Sequence, residues 1–148
     1  MIRKVAFLCI LIFSFLISGC ASRRVYFIHS YSHGFFQVSY PKTLFIVGND
    51  GESFTVSSSP LEKYANGGLP PGGTVNITIF HVGESGSCGN PSSFFEPFTL
   101  DNEILYFSKT VCLPAHFIAV LEIWDSKLDK EKEELLENIL KSFKSAAK

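Results

Sequence analysis

The chain has 148 residues, and its 13 basic and 14 acidic side chains leave a formal net charge of −1. That near balance excludes the strongly basic field that nucleic acids or anionic headgroups select. Fifteen Phe and a hydrophobic fraction of 46% exclude a chain too poor in apolar groups to build a core.

At the N-terminus, Arg3 and Lys4 precede an uncharged apolar run, Val5 to Ile17, which the small residues Ser18 and Gly19 close. A basic start, a short apolar core and small residues at its end make a secretory signal over residues 1–19. A spanning helix needs about 20 apolar residues, and this run meets Gly19 and then Arg23-Arg24 too soon, so permanent spanning is the weaker reading. Ile17-Ser18-Gly19-Cys20 resembles the lipobox of bacterial lipoproteins. The resemblance implies cleavage between Gly19 and Cys20, a diacylglycerol thioether on Cys20 and, usually, acylation of the new amine. The alternatives are an ordinary signal with a chance Cys, or an uncleaved anchor. Each buried lipid methylene contributes about 0.8 kcal/mol, so two or three acyl chains on one residue anchor a protein stably to a membrane. In enteric-like bacteria an Asp after the Cys favours inner-membrane retention. Ala21 therefore leans the location toward the outer membrane, on the periplasmic side.

Without the leader about 130 residues remain, enough for one domain with a single core. Arg3 and Lys4 leave with the leader and no acidic residue does, so the mature chain is more acidic than the whole. Cys9 also leaves, and Cys20 is the lipid site. Cys88 and Cys112 are then an even pair in an exported chain, for which a disulfide is the default. The alternative is two free thiols, although neither stands in a C-x-x-C.

Residues 20–33 are read as the lipidated Cys and a tether, with Val25–Ile28 a possible strand, and residues 34–148 as one globular domain. Phe36, Val38 and Tyr40 alternate with Gln37 and Ser39 up to Pro41, the pattern of a half-buried strand. Thr43–Val47 is a second short run, closed by the turn signal Gly48-Asn-Asp-Gly51, and Phe54–Ser58 a third. Ser59-Pro60-Leu61-Glu62 matches a capping box for a helix of at most two turns before Gly67-Gly68. Thr74–Val82 alternates as a strand, and residues 83–102 are rich in Gly and Pro and read as loop. Ile104–Phe107 and Thr110–Cys112 make one or two strands. Phe117–Trp124, apolar on both faces apart from Glu122, reads as a central strand. Ser126 or Asp129 then caps a helix to about Ser145, with an apolar stripe of Leu128, Leu135, Leu136, Ile139, Leu140 and Phe143. Glu137 and Lys141 stand at the spacing of a helical ion pair.

The fold class implied is α+β: five to seven mostly antiparallel strands with a C-terminal helix packed on one face. His33–Pro41, and His116–Trp124 with Leu136–Phe143, are similar to the opening and closing segments of the PsbP-like domain. The resemblance spans about residues 25–145 and implies an α/β/α sandwich in a family of binding and assembly modules with no shared catalytic set. This chain has Phe45 where a Trp often follows the opening Pro, and its middle is short, so the second helical layer is expected to be reduced.

Candidate chemistry is sparse. His29 and His33 share a face of an extended strand and, with His81, His116, Glu122 or Asp125, are the candidates for a metal site, but no spacing links a third ligand to the pair. Exposed lead-in residues of a tether are the favoured explanation of the pair. The Gly-rich run 67–73 lacks the Lys-Ser/Thr of a phosphate loop, and Ser57–Ser59 lacks a nucleophile-elbow setting. Glu122 is either a perturbed base or a residue bonded to a neighbouring strand. Phe94, Phe95 and Phe98 form a Pro-bounded aromatic loop that folds back on the sheet or meets a partner. No catalytic residue, metal ligand or cofactor is assigned. The expectation is a lipid-anchored, non-enzymatic envelope module that binds a protein partner through Phe94, Phe95 or Phe98, and not nucleic acid. The alternative is a small-molecule- or metal-binding envelope lipoprotein. A cavity lined by Phe, Tyr and His would favour a ligand, and a closed face under the helix would favour a partner.

Overall fold

The structure is a computed structural model that describes residues 24–31, 34–50, 53–60 and 68–147. The leader, Cys20 and the short helix expected after Pro60 lie outside the described residues.

Nine strands and one helix are described: β1 (Arg24–Tyr31), β2 (Gly34–Pro41), β3 (Phe45–Asp50), β4 (Ser53–Ser57), β5 (Thr74–His81), β6 (Glu96–Leu100), β7 (Glu103–Leu113), β8 (Phe117–Trp124), α1 (Lys130–Lys141) and β9 (Lys144–Ala147). They form two sheets, one of three strands in the order β1-β2-β9 and one of six in the order β3-β4-β5-β8-β7-β6. Every neighbouring pair is antiparallel. This is the α+β class, with more strands than the five to seven expected.

Strand alternation builds the core. Val75, Ile77 and Ile79 of β5 stand opposite Ile123, Leu121 and Ala119 of β8, and all six are buried. Phe54 and Val56 of β4 and Phe107 of β7 extend the same face to either side. Two elements cover it. From β2 come Phe36, Val38 and Tyr40, and from α1 come Leu136 and Ile139. Phe36 lies edge-on to Phe54 at 6.0 Å and to Phe117 at 5.2 Å, and Phe143 joins the cluster 5.4 Å from Phe36. Edge-to-face contacts of this kind add to the area term of burial.

Asp129 is the N-cap of α1, its side chain accepting from the Glu131 N–H, and Glu131 and Glu133 place negative charge at the positive end of the helix dipole. The helix ends at Lys141 rather than near Ser145, because Ser142 is its C-cap and Lys144–Ala147 pairs with β2 as β9. Leu128 is correspondingly outside the stripe and exposed. Leu140 and Phe143 are half-buried against the core. Glu137 does not engage Lys141 in a close ion pair; it reaches Lys109 on β7 at 2.7 Å.

Three further expectations are corrected. The stretch read as a tether with a possible strand at Val25–Ile28 carries the longer β1, which pairs with β2 from Arg24↔Pro41 to Tyr31↔Gly34. Backbone pairing thus supplies the order that the segment's mixed polarity does not announce. Gly48, expected in a turn, lies inside β3 beside a bulge, where Thr55 stands so close that an added Cβ would lie 3.2 Å from its Oγ1. The loop over residues 83–102 contains β6, joined to β7 by Asp101 and Asn102 at φ 52° and 66°. Two consecutive residues at positive φ make the tight hairpin turn whose twist matches that of the strands, and Asp and Asn tolerate that backbone.

Candidate functional site

Cys88 and Cys112 are disulfide-bonded, with Cα atoms 5.7 Å apart, so the loop after β5 is tied to β7. The Ser92 N–H donates to the Thr110 carbonyl at 3.0 Å and holds the same loop along the edge of β7. These two constraints sort the three Phe. Phe95 is only 6% exposed and belongs to the core, with Lys109 Nζ 5.8 Å from its ring centroid. It cannot act as a surface contact, which corrects the expectation that grouped it with Phe94 and Phe98. Phe94 is 65% exposed and Phe98 47% exposed.

Phe98 is one end of an aromatic row on the sheet face opposite α1. It stacks on Tyr106 at 4.8 Å, and Tyr106 lies 4.4 Å from Trp124. The row crosses β6, β7 and β8 because Phe98 pairs with Tyr106 and the β7–β8 register sets Tyr106 beside Trp124. The Trp124 indole N–H donates to Glu122 Oε2 at 3.0 Å, and Asn76 Nδ2 on β5 donates to the same oxygen at 3.1 Å. Glu122 is therefore the strand-bonded residue of the two readings above. Burial, and after it the Glu122 carboxylate, push the Tyr106 phenol above its ordinary pKa. Asn76 Oδ1 is buried without a hydrogen-bond partner among the described residues, and the amide is held through its donor side. Farther along the face, Thr55 and Thr78 share a hydrogen bond at 3.0 Å.

A concavity lies between the C-terminal half of α1 and the edge of β7. It has a volume of about 470 Å³, with Ser92, Val111 and Leu140 on its walls and the Lys109–Glu137 ion pair among its lining groups. Its size is that of a small-ligand cleft; Lys109 and Glu137 satisfy each other, Lys141 is a third charged lining residue, and among the described residues no Phe, Tyr or His lines it.

The remaining candidates are separated. His81 accepts the Gly83 N–H on Nδ1 and packs 5.0 Å from Phe117. His116 is exposed at φ 61° in the β7–β8 turn. Asp125 accepts from Lys132 at 2.9 Å, which holds its carboxyl below the ordinary range. His33 and the side chain of His29 lie outside the described residues. Among the described residues no three His, Cys, Asp or Glu side chains are grouped as metal ligands. Ser57 Oγ accepts the Ser59 N–H in the turn after β4, and Ser58 Oγ accepts the Val75 N–H and fastens that turn to β5.

The row Phe98–Tyr106–Trp124 is the feature that sequence reading missed. Its signal was the alternation in Tyr106-Phe107-Ser108 together with Trp124 at the end of β8, but using it required the β6–β7 hairpin. No protein-family model matches the chain, and neither curated proteins nor solved structures give a match to it.

Proposed function

We propose that this protein is a lipid-anchored module of a bacterial cell envelope that binds a protein partner and carries no catalytic activity. The reading joins the lipobox-like Ile17-Ser18-Gly19-Cys20 to a domain whose sheet face under α1 is filled by its own core. The observation that carries the partner half is the aromatic row. Phe98, Tyr106 and Trp124 present stacked rings on the face away from the helix, with Phe98 half-exposed. Aromatic side chains of this kind supply large contact area at low entropy cost and are enriched where proteins meet. The PsbP-like resemblance supports the same reading, since that family consists of binding and assembly modules. The outer membrane, periplasmic side, is the proposed location.

The groove of about 470 Å³ beside α1 favours a second reading, a small-molecule-binding envelope lipoprotein. One experiment separates them. The protein is extracted in detergent from its native envelope, beside a Cys20→Ala form, and its co-purifying proteins and small molecules are identified by mass spectrometry. The account predicts a diacylated Cys20, an uncleaved and unlipidated mutant, and a protein partner retained by the wild type. A soluble, unmodified wild type sinks the anchor. A stoichiometric small molecule without a protein partner transfers the function to the groove.

A further inference from the structure

We propose that the domain rests on the bilayer by the end at which β1 begins, with Phe45, Leu69 and Leu128 at the boundary between headgroups and acyl chains. The inference rests on the reading of Cys20 as the lipidated residue.

β1 begins at Arg24, so only residues 21–23 separate it from Cys20. Four Cα steps span at most about 14 Å when fully extended. A Cys20 whose acyl chains lie in the bilayer therefore holds the start of β1 within about 14 Å of the interface. Topology says what else lies at that end. Arg24 pairs with Pro41, and a single turn, closed by the Leu44 N–H to Pro41 carbonyl bond at 3.0 Å, carries β2 into β3 at Phe45. Phe45 pairs with Ser57, at the end of β4. Thr74, which opens β5, pairs with Trp124, which closes β8, and the Gly73 N–H donates to the Trp124 carbonyl at 2.6 Å. The loops before β5 and after β8 thus emerge together at the end where β1 starts. The opposite end of β5 lies about 24 Å away along the strand.

Chemistry distinguishes this end. Phe45, which opens β3, is 47% exposed, and Leu69, before β5, and Leu128, after β8, are 61% and 40% exposed. Lys42 and Lys127 are exposed beside them, and the nearby Asp125 and Asp129 carboxylates both face Lys132. Leu100 is also exposed near this end, but it sits between Glu103 and the Asp101-Asn102 turn, an acidic tip that suits water better than lipid. Two lysines and three apolar side chains are too few to recruit an unanchored domain from solution. They are enough to orient one that the lipid already holds at the surface.

The test uses the full lipidated protein in phosphatidylcholine vesicles whose acyl chains carry bromine, which quenches nearby tryptophan. Phe45→Trp and Leu128→Trp report on the proposed contact, and Glu84→Trp, exposed in the loop after β5, reports on the far end; native Trp124 is subtracted as the wild-type signal. The added fluorescence at positions 45 and 128 should fall several-fold against unbrominated vesicles, while that at 84 stays unchanged. Equal quenching at all three, or quenching at 84 alone, overturns the proposal. Backbone hydrogen exchange of the unmutated lipidated protein supplies a readout without substitution. Vesicles should slow exchange in residues 42–46 and 125–129 but not in 83–86, and slowing confined to 83–86 counts against the proposal in the same way. A mass spectrum of Cys20 separates the two ideas. A modified Cys20 with the wrong depth order overturns the orientation alone, whereas an unmodified Cys20 removes the anchor and the orientation with it.

Discussion

Ser142 Oγ accepts the Ser39 backbone N–H at 2.8 Å, joining the C-cap of α1 to the middle of β2 across 103 residues of chain. The hydroxyl hydrogen points to the Ile139 carbonyl at 2.6 Å, with the Ser39 carbonyl at 3.2 Å. The neighbouring hydroxyl behaves oppositely: Ser39 Oγ is buried and has no hydrogen-bond partner among the described residues. Ser142→Ala should therefore cost about 1–3 kcal/mol, since it leaves a buried N–H unpaired. Ser39→Ala should be neutral or slightly stabilising, because it removes a desolvated hydroxyl that bonds to no described group. Urea unfolding of the two variants measures the contrast, and equal losses would contradict it.

Leu136 and Ile139 should carry the attachment of the helix. Both are fully buried, so truncating either to Ala should cost about 2–5 kcal/mol. That is a large part of the stability of a domain this size, usually about 5–15 kcal/mol. Deleting residues 126–148 removes this face, the Ser142 stitch and β9 together, and should abolish the cooperative thermal transition. A truncated chain that melts as the wild type does would show α1 to be an appendage.

Much of the central sheet was legible from local pattern. Phe117–Trp124 reads as a strand and forms one with the same bounds; Phe117, Ala119, Leu121 and Ile123 face the core, while Val120, Glu122 and Trp124 on the other face are only half-buried. Phe36, Val38 and Tyr40 were legible from the same alternation, and of the two cap candidates, Ser126 and Asp129, the second is the N-cap. What escaped was order imposed from elsewhere in the chain. Lys144–Ala147 has the composition of a helix end, yet it pairs with β2 because Ser142 and Phe143 turn the chain onto that strand. All five residues of β6 are exposed, so no alternation marked it, and Pro97 spoke against a strand although an edge position tolerates it. The aromatic row was hidden with it, since Phe98 meets Tyr106 only through that hairpin.

The Cys88–Cys112 bond should matter to stability as well as to the placement of Phe94 and Phe95. It closes a loop with a sequence separation of 24, for which the chain-entropy model gives about 3 kcal/mol. The double Cys→Ser variant should lose about that much in denaturant and expose the Phe95 segment to protease. An unchanged midpoint would mean that packing of Phe95 alone holds the loop.

Acid should weaken the tie between α1 and β7. The Lys109 ammonium, hydrogen-bonded to Glu137, holds the Glu137 carboxyl below its ordinary pKa against the opposing effect of burial. A lowered folded-state value means that the stabilisation is complete above the unfolded-state pKa of Glu. It is lost as pH falls through the lowered folded value. Glu137→Gln should therefore be less stable than the wild type at neutral pH, and the gap should close on the acid side of the carboxylate range. Glu137 is 40% exposed, so solvent screening keeps the gap small. A gap that widens toward acid would contradict the sign.

The most direct test of the partner-binding account is site-specific photo-crosslinking in the living envelope. A benzoylphenylalanine replaces Phe98 in the aromatic row or, as the control, Glu84 at the far end of β5. The account predicts one dominant protein adduct from position 98, none from position 84, and loss of the adduct when Tyr106→Ala removes the ring on which Phe98 stacks. No adduct at 98, or the same adducts from both positions, would contradict it.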